Sequence, residues 1–346
     1  MRQVDLRSDT VTLPSPAMRE AMYRAELGDD VFGEDPTVNK LQELSAEMMG
    51  KEAALLVVSG TMGNLVSLLT HCGRGDEVIL GAVAHIFLFE AGGSAALGGI
   101  HHATVPNQPD GTLRLQDIVG AIRGDNVHYP RTKLVCLENT HNRCGGAVLS
   151  AEYTDAVCAL AHERGIKVHI DGARIFNAAI ALGVDPADLS RNADSVGFCL
   201  SKGLSAPVGS VLCGSKAFIQ EARRWRKAVG GGMRQAGILA AAGIVALDEM
   251  VDRLAKDHEN ARFLAEGIAR VPGLSVDLEG VQTDIVIFEV DPQRMSAAEL
   301  AQALLERSVQ VGAIGPSRIR AVTHYGIDRT DVKAALSAIQ EAMEGS

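Results

Sequence analysis

The sequence predicts an α/β protein: a large domain built on a largely parallel sheet covered on both faces, followed by a small C-terminal α+β domain. Three observations carry this. Short β-branched runs alternate with helical patterns through most of the chain. From about Arg234 the pattern changes to one long helix-like stretch, then to short strands and helices. No internal repeat, low-complexity segment or long linker intervenes, so an N-terminal arm plus large domain (1–245) and a small domain (246–346) should pack directly against each other.

Each element follows from its local pattern. Residues 37–49 put Val38, Leu41, Leu44 and Met48 on one helical face, and Gly50 supplies the stop. Residues 53–58 read as a buried strand, followed by the turn Ser59-Gly60-Thr61 and a helix to about Cys72. Further inner strands are expected at 77–80, 133–137, 167–170, 195–200 and 209–212, with helices between them, notably 151–164. The small domain begins within a helix-like stretch running from 234 to 269. A strand at 284–290, a helix at 297–307, strands at 309–313 and 318–322, and a last helix from about Thr330 complete it.

Composition limits the function. A chain of 346 residues with 47% hydrophobic content can bury a substantial core. A formal net charge of -10 argues against nucleic-acid binding, which needs a concentrated basic surface. The short basic cluster Arg223-Arg-Trp-Arg-Lys227 suits either a solvated helix end or a local anion contact. Six cysteines are scattered without a Cys-x-x-Cys pair, the pattern of reduced, buried thiols. The N-terminus carries charge where a signal peptide would be apolar, and no apolar run reaches membrane length, so a cytoplasmic protein without membrane attachment is expected. Among ten histidines there is no His-Glu-x-x-His, and no catalytic metal is expected.

The chemistry is assembled from strand ends, where open α/β sheets bind ligands. Ser59-Gly60-Thr61 lies between a strand and a helix start, so its N–H groups and the Thr61 hydroxyl suit a phosphate. Asp171 ends the strand 167–170, where a carboxylate can keep a pyridine nitrogen protonated. Arg174 is near enough along the chain to reach the same ring or the substrate, or to pair with Asp171. Lys202 follows the strand 195–200 and can form a Schiff base, with Ser201 beside it for the phosphate. Asp, Arg and Lys at successive strand ends are the parts of a pyridoxal 5'-phosphate site. His85, His128 and His141 suit proton handling or stacking, or hydrogen-bonded roles in the core. Arg318 and Arg320 share a strand face, and one guanidinium there suits an α-carboxylate.

These residues sit in an ordered series of motifs. It includes Asp5-Leu-Arg-Ser-Asp-Thr-Val11, Gly28-Asp-Asp-Val31, Glu34-Asp-Pro-Thr37, Phe89-Glu-Ala-Gly-Gly93 and Leu137-Glu-Asn-Thr-His141. It continues through Asp171-Gly-Ala-Arg-Ile-Phe-Asn177, Leu200-Ser-Lys-Gly203, Gly230-Gly-Gly-Met-Arg-Gln235 and Val322-Thr-His324. End to end the chain resembles the low-specificity L-threonine aldolases, pyridoxal-phosphate enzymes of fold type I.

The resemblance implies a mostly parallel seven-stranded sheet and a homotetramer, a dimer of dimers with shared active sites. It implies retro-aldol cleavage of L-threonine, L-allo-threonine and related β-hydroxy-α-amino acids to glycine and an aldehyde. Lys202 is then the Schiff-base lysine, Asp171 the partner of the ring nitrogen, Arg174 a ring-side contact, and Gly60 and Thr61 the phosphate cradle. It also implies that His85 stacks on the ring, that His85 and His128 approach the substrate hydroxyl, and that Ser8 and Arg320 hold the substrate carboxylate. Arg234 comes from a neighbouring subunit towards the phosphate. His85, His128 and a bound water all remain as the base. Another reaction on the same fold, β-elimination or transamination, and a non-catalytic nucleotide-binding module are the alternatives. One departure stands out: Phe32 occupies the position of a usual family tyrosine, removing a hydroxyl near the expected site.

Overall fold

The computed structural model describes residues 2–344. Val4–Asp5 (β1) opens the chain. Ala53–Val57 (β2), Asp76–Gly81 (β3), His101–Val105 (β4), Arg131–Glu138 (β5), Lys167–Asp171 (β6), Ser195–Cys199 (β7) and Ser210–Gly214 (β8) form a seven-stranded sheet in the order β2-β8-β7-β6-β5-β3-β4. Leu274–Val276 (β9), Ile285–Val290 (β10), Val309–Gln310 (β11), Gly312–Ala313 (β12) and Arg318–Val322 (β13) follow in the small domain.

The large sheet is parallel except at β8, which runs antiparallel to both β2 and β7. The reversal returns β2 to the direction of β7, so the ends of β2, β3, β5, β6 and β7 all face one edge. Both sheet faces are buried, and the strand residues divide by parity. Ala54, Leu56, Val168, Ile170, Val196 and Phe198 join the core under the helices Pro36–Met48, Ala151–His162 and Gly237–Glu249. Leu55, Val57 and Leu212 face the helices Gly60–His71 and Lys216–Ala228 on the other side.

Local chemistry sets the helix ends. Asp35 caps the helix Pro36–Met48 by accepting from Thr37 and Val38 N–H, with Pro36 at the first position; Gly50, at φ 59, reverses the chain beyond it. Ser59 caps the helix Gly60–His71 by accepting from Met62 N–H.

The small domain is an antiparallel sheet, β12-β13-β10-β9, packed on the helices Leu254–Ile268, Ala297–Glu306 and Arg329–Glu344. Its core also takes Val4 and Leu6 from the N-terminal arm, because β1 pairs in parallel with β11. Residue 245 lies inside the helix Gly237–Glu249, while Leu254 belongs to the large core and Ala261 to the small one.

Three elements differ from the sequence expectation. The stretch 234–269 is two helices, Gly237–Glu249 and Leu254–Ile268, broken by a turn without Gly or Pro. Arg253 in that turn pairs with Asp257 one turn into the second helix and lies over the Tyr325 ring of the small domain, a tertiary contact that propensity does not register. The run 309–313 divides between β11 and β12, which serve different sheets. The edge strand β4 escapes a hydrophobic reading because its sequence opens on two histidines and its exposed positions are polar.

Candidate active site

The strand ends gather the chemistry at one edge. Asp171 closes β6, directly across from Glu138 at the end of β5 and Gly197 in β7. Its carboxylate is buried and held in plane: Oδ1 accepts from Ala173 N–H at 3.2 Å and Oδ2 from Asn64 Nδ2 at 2.9 Å. The second hydrogen of that Asn64 amide goes to Glu90 Oε1 at 2.7 Å, and Glu90 Oε1 also meets His85 Nδ1 at 2.9 Å. His85 opens the short helix His85–Leu88, where its backbone N–H donates to Glu138 Oε2 at 2.7 Å. Its imidazole is held above its ordinary pKa by the Glu90 hydrogen bond, and burial pushes the Glu90 carboxyl up as well. Both shifts favour keeping a proton between the two groups. Ligand atoms of His85, Glu90 and Asp171 lie within 4.8 Å of one another, so this is one cluster.

Lys202 follows β7 on a segment fixed through its backbone. The Lys202 carbonyl accepts from Ser205 N–H at 2.8 Å and from Thr12 Oγ1 at 3.1 Å. Gly203 lets this segment pack closely, since a Cβ there would lie 2.9 Å from Leu254 Cδ2. The Lys202 amine makes no hydrogen bond or ion pair among the described residues. Ser201 precedes it, half-buried.

Gly60 and Thr61 are the first residues of the helix Gly60–His71, so their N–H groups point out of its N-terminus. A Cβ on Gly60 would come within 2.9 Å of Cys199 Sγ at the end of β7, which explains the glycine. Ser210 Oγ lies 3.8 Å from the same point and is buried without a partner, as is Ser205 Oγ.

Arg174 is not paired with Asp171, the partner that chain proximity suggests. Its guanidinium forms a two-pronged bond with Asp9, Nε to Oδ2 and Nη2 to Oδ1, both at 2.7 Å, and both residues are buried. Both hydrogens of Nη1 and the second hydrogen of Nη2 are left for a cofactor or substrate. Ser8 caps the short turn Asp9–Val11, accepting from Thr10 N–H. Arg320 reaches the neighbouring arm residue, with Nη2 donating to the Arg7 carbonyl at 3.1 Å and Nη1 to Asn142 Oδ1 at 2.8 Å; Nε is buried without a partner. Arg318 instead pairs with Glu289 at 3.0 Å.

Two expected site residues are exposed and make no hydrogen bond or ion pair with this cluster among the described residues. His128 is exposed on the loop before β5, at the opposite edge of the sheet from Asp171. Arg234 is exposed and paired with Asp29 at 3.1 Å. Phe32, in the adjoining turn, is 73% exposed. His141 is buried, with Nε2 against Asn107 Nδ2 at 3.0 Å. Sequence reasoning missed Asp9, Asn64 and Glu90 as functional groups. Asp9 and Glu90 lie in motifs it singled out; nothing local connects Asp9 to Arg174, whereas Glu90 stands five residues from His85, a spacing that could have signalled the pair.

The donor set fits pyridoxal 5'-phosphate. A buried, oriented carboxylate, an unpaired lysine, a helix N-terminus kept open by a glycine and orphaned serine hydroxyls correspond to ring nitrogen, aldehyde carbon and phosphate. A separate cleft of 750 Å³, bounded by Asn107, Arg143 and Arg318, contains neither Lys202 nor Asp171.

A family model described as beta-eliminating lyase matches residues 5–291. The chain is 52% identical to low-specificity L-threonine aldolase 1 of Arabidopsis thaliana, covering 99% of this chain and 97% of that one. It is 48% identical to the low specificity L-threonine aldolase of Escherichia coli K12, covering 94% and 95%. A threonine aldolase from Leishmania major has the same fold, with a TM-score of 0.84 at 20% identity, covering 98% of this chain and 99% of that one.

Proposed function

The chain belongs to the beta-eliminating lyase family, among its low-specificity L-threonine aldolases, and from that premise we propose how the clustered residues perform the reaction. It is an aldehyde-lyase that cleaves L-threonine and related β-hydroxy-α-amino acids to glycine and an aldehyde, reversibly, with pyridoxal 5'-phosphate. When bound, the cofactor supplies an electron sink for the pair released from the Cα–Cβ bond.

Lys202 would hold the cofactor at its aldehyde carbon through its side-chain amine. Its unpaired side chain on a fixed backbone supports this. Asp171 holds a proton at the ring nitrogen, with its carboxylate plane set by Asn64 and Ala173. Gly60, Thr61 and Ser201 receive the phosphate, joined by Arg234 from a neighbouring copy. His85 would face the bound cofactor's ring, and its Nε2, opposite the nitrogen bound to Glu90, is the atom of this chain best set to take the β-hydroxyl proton. His128 of a neighbouring copy, or water, completes proton transfer. Arg320 and Ser8 hold the substrate carboxylate, and Arg174 adds its free Nη1 while locking the arm through Asp9.

The chain acts as a homotetramer of paired copies. Supporting this, Tyr23 is 87% and Val127 97% exposed, and His128 and Arg234 are exposed on their own chain. A cytoplasmic location is supported by six free cysteines, nearly all buried. Among the described residues no helix is long and apolar enough to cross a membrane.

The convergence of Asp171, His85 and Glu90 opposite an unpaired Lys202 carries this reading. Incubation of the cofactor-loaded protein with L-threonine and with L-allo-threonine should release glycine and acetaldehyde in equal amounts. Ammonia with 2-oxobutyrate, or no product, would refute it.

A further inference from the structure

A stripe of polar side chains runs between the helix Gly60–His71 and the sheet, where apolar packing is the rule. Asn64, Ser67 and His71 share one face of that helix by their spacing. Opposite them stand His169 and Asp171 of β6 and Ser195 of β7. Asn64, Ser67, His169 and Ser195 are buried to 4% exposure or less. Burying so many polar groups is costly unless each is satisfied, and here the contacts form one continuous path. Asn64 meets Asp171 at 2.9 Å, His169 Nε2 meets Asn64 Oδ1 at 3.1 Å, Ser195 Oγ meets His169 Nδ1 at 2.9 Å, and His71 Nε2 meets Ser195 Oγ at 2.8 Å. Ser67 Oγ adds a contact to Ser195 Oγ at 3.1 Å.

The direction of every bond follows from the carboxylates. Asn64 must turn its amide nitrogen to Asp171 and Glu90, since the reverse would set its oxygen against two carboxylate oxygens. Asn64 Oδ1 is therefore an acceptor, and His169 Nε2 must carry the hydrogen. Burial pushes the His169 pKa down to about 4, so the ring is neutral and Nδ1 is an acceptor. Ser195 then donates to Nδ1, and its oxygen accepts from Ser67 and from His71 Nε2–H. His71 is also neutral, pushed down to about 3 chiefly by burial, and its ring stacks on Phe218 at 4.6 Å between centroids. It ends the path in a 530 Å³ cleft lined by Lys51, Lys167 and Asp194, at the far edge of the sheet.

We propose that His71, Ser195, His169 and Asn64 form a one-way hydrogen-bond relay that fixes the plane and acceptor role of the Asp171 carboxylate, and that these four are positioning residues for the reaction. The inference rests on the reading that Asp171 faces the cofactor's ring nitrogen. Every donor in the relay points towards Asp171, so a change at its far end alters how firmly that carboxylate is held, although the far end touches neither cofactor nor substrate.

Long-range ¹H–¹⁵N spectra of histidine-labelled, cofactor-free protein test the relay directly. His71→Gln and His169→Gln serve to assign the signals. Both rings should be neutral Nε2–H tautomers from pH 5.5 to 8. A His169 ring protonated at Nδ1, or titrating near the ordinary histidine value, overturns the proposal. In a second measurement, pyridoxal phosphate is titrated into apoprotein. Ser195→Ala should weaken binding by about 5- to 10-fold, the effect of one buried hydrogen bond, while Ser195→Thr, which keeps the hydroxyl, should restore it. Equal affinity in Ser195→Ala and the unmodified protein refutes the relay. Failure of the unmodified protein to bind the cofactor would instead refute the site reading. If Ser195→Ala does not fold, the tautomer measurement decides.

Discussion

Asp9 and Asp284 are both buried and both feel the charge of Arg174, yet they titrate in opposite directions. Burial alone would raise Asp9, but the Arg174 charge and hydrogen bonds outweigh it and hold the carboxyl down at about 2. Asp284 has no hydrogen bond to either carboxylate oxygen, and burial, reinforced by the charge of Asp9, pushes it up to about 7. The stability consequences have opposite signs. A depressed acid such as Asp9 contributes stability above its unfolded pKa, lost as pH falls through the folded one. A raised acid such as Asp284 contributes below its unfolded value, and that contribution is lost as pH rises through about 7. Asp284→Asn keeps the shape of the neutral acid without the late ionisation. It should therefore raise the thermal midpoint at pH 8 relative to the unmodified protein, with a smaller change at pH 5. An equal shift at both pH values in thermal unfolding would contradict this. The sequence shows why Asp9 was hard to assign. Arg174 lies three residues from Asp171, so chain proximity names Asp171 as its partner, whereas the arm that brings Asp9 to it is set by pairing of β1 with β11, more than 300 residues away in sequence.

The helix Gly60–His71 carries three functions along its length. On the proposed reading its first residues offer N–H groups to a phosphate, while its middle holds Asn64 against Asp171 and its last turn places His71 at the far sheet edge. Gly60 joins the first function to packing, because a Cβ there would meet Cys199 Sγ at 2.9 Å. Helix propensity alone would favour alanine by up to about 1 kcal/mol. That gain is smallest at a first helical position, while crowding in a packed core costs about 1–3 kcal/mol. Gly60→Ala should thus weaken cofactor binding, and Cys199→Ala in the same chain should recover most of the loss. Cofactor titration of the two single variants and the double variant measures the coupling, and additive effects would count against the contact. The capping serine and the glycine of this turn were legible in sequence, as were the apolar strands around it. The polar stripe was not, although Asn64, Ser67 and His71 have helical spacing, because its meaning depends on which strand faces lie opposite. Strand β4 shows the converse: an edge strand needs little apolar surface, so the hydrophobic pattern that revealed the inner strands had nothing to report there.

At the scale of the molecule, the N-terminal arm joins the small domain to the large one. The small core takes in Val4 and Leu6 and Arg320 reaches the Arg7 carbonyl, while Asp9 is held by Arg174 and Thr12 by the Lys202 carbonyl, so the arm is tied to both domains. One chain nevertheless leaves its site incomplete on the proposed reading, because Arg234 is exposed on its own loop. If paired copies exchange this arginine, each site combines Lys202 of one chain with Arg234 of the other. A hybrid of Lys202→Ala and Arg234→Ala chains then holds one site with both changes and one with neither. Random pairing makes about half the pairs hybrid, with half of their sites intact, so a co-expressed mixture should show about a quarter of the unmodified activity. The assay belongs at limiting cofactor, where Arg234→Ala alone is expected to fail through weak phosphate binding. Activity no greater than the sum of the two parents would show that each chain completes its own site, and would leave the exposed Arg234 bound only to Asp29.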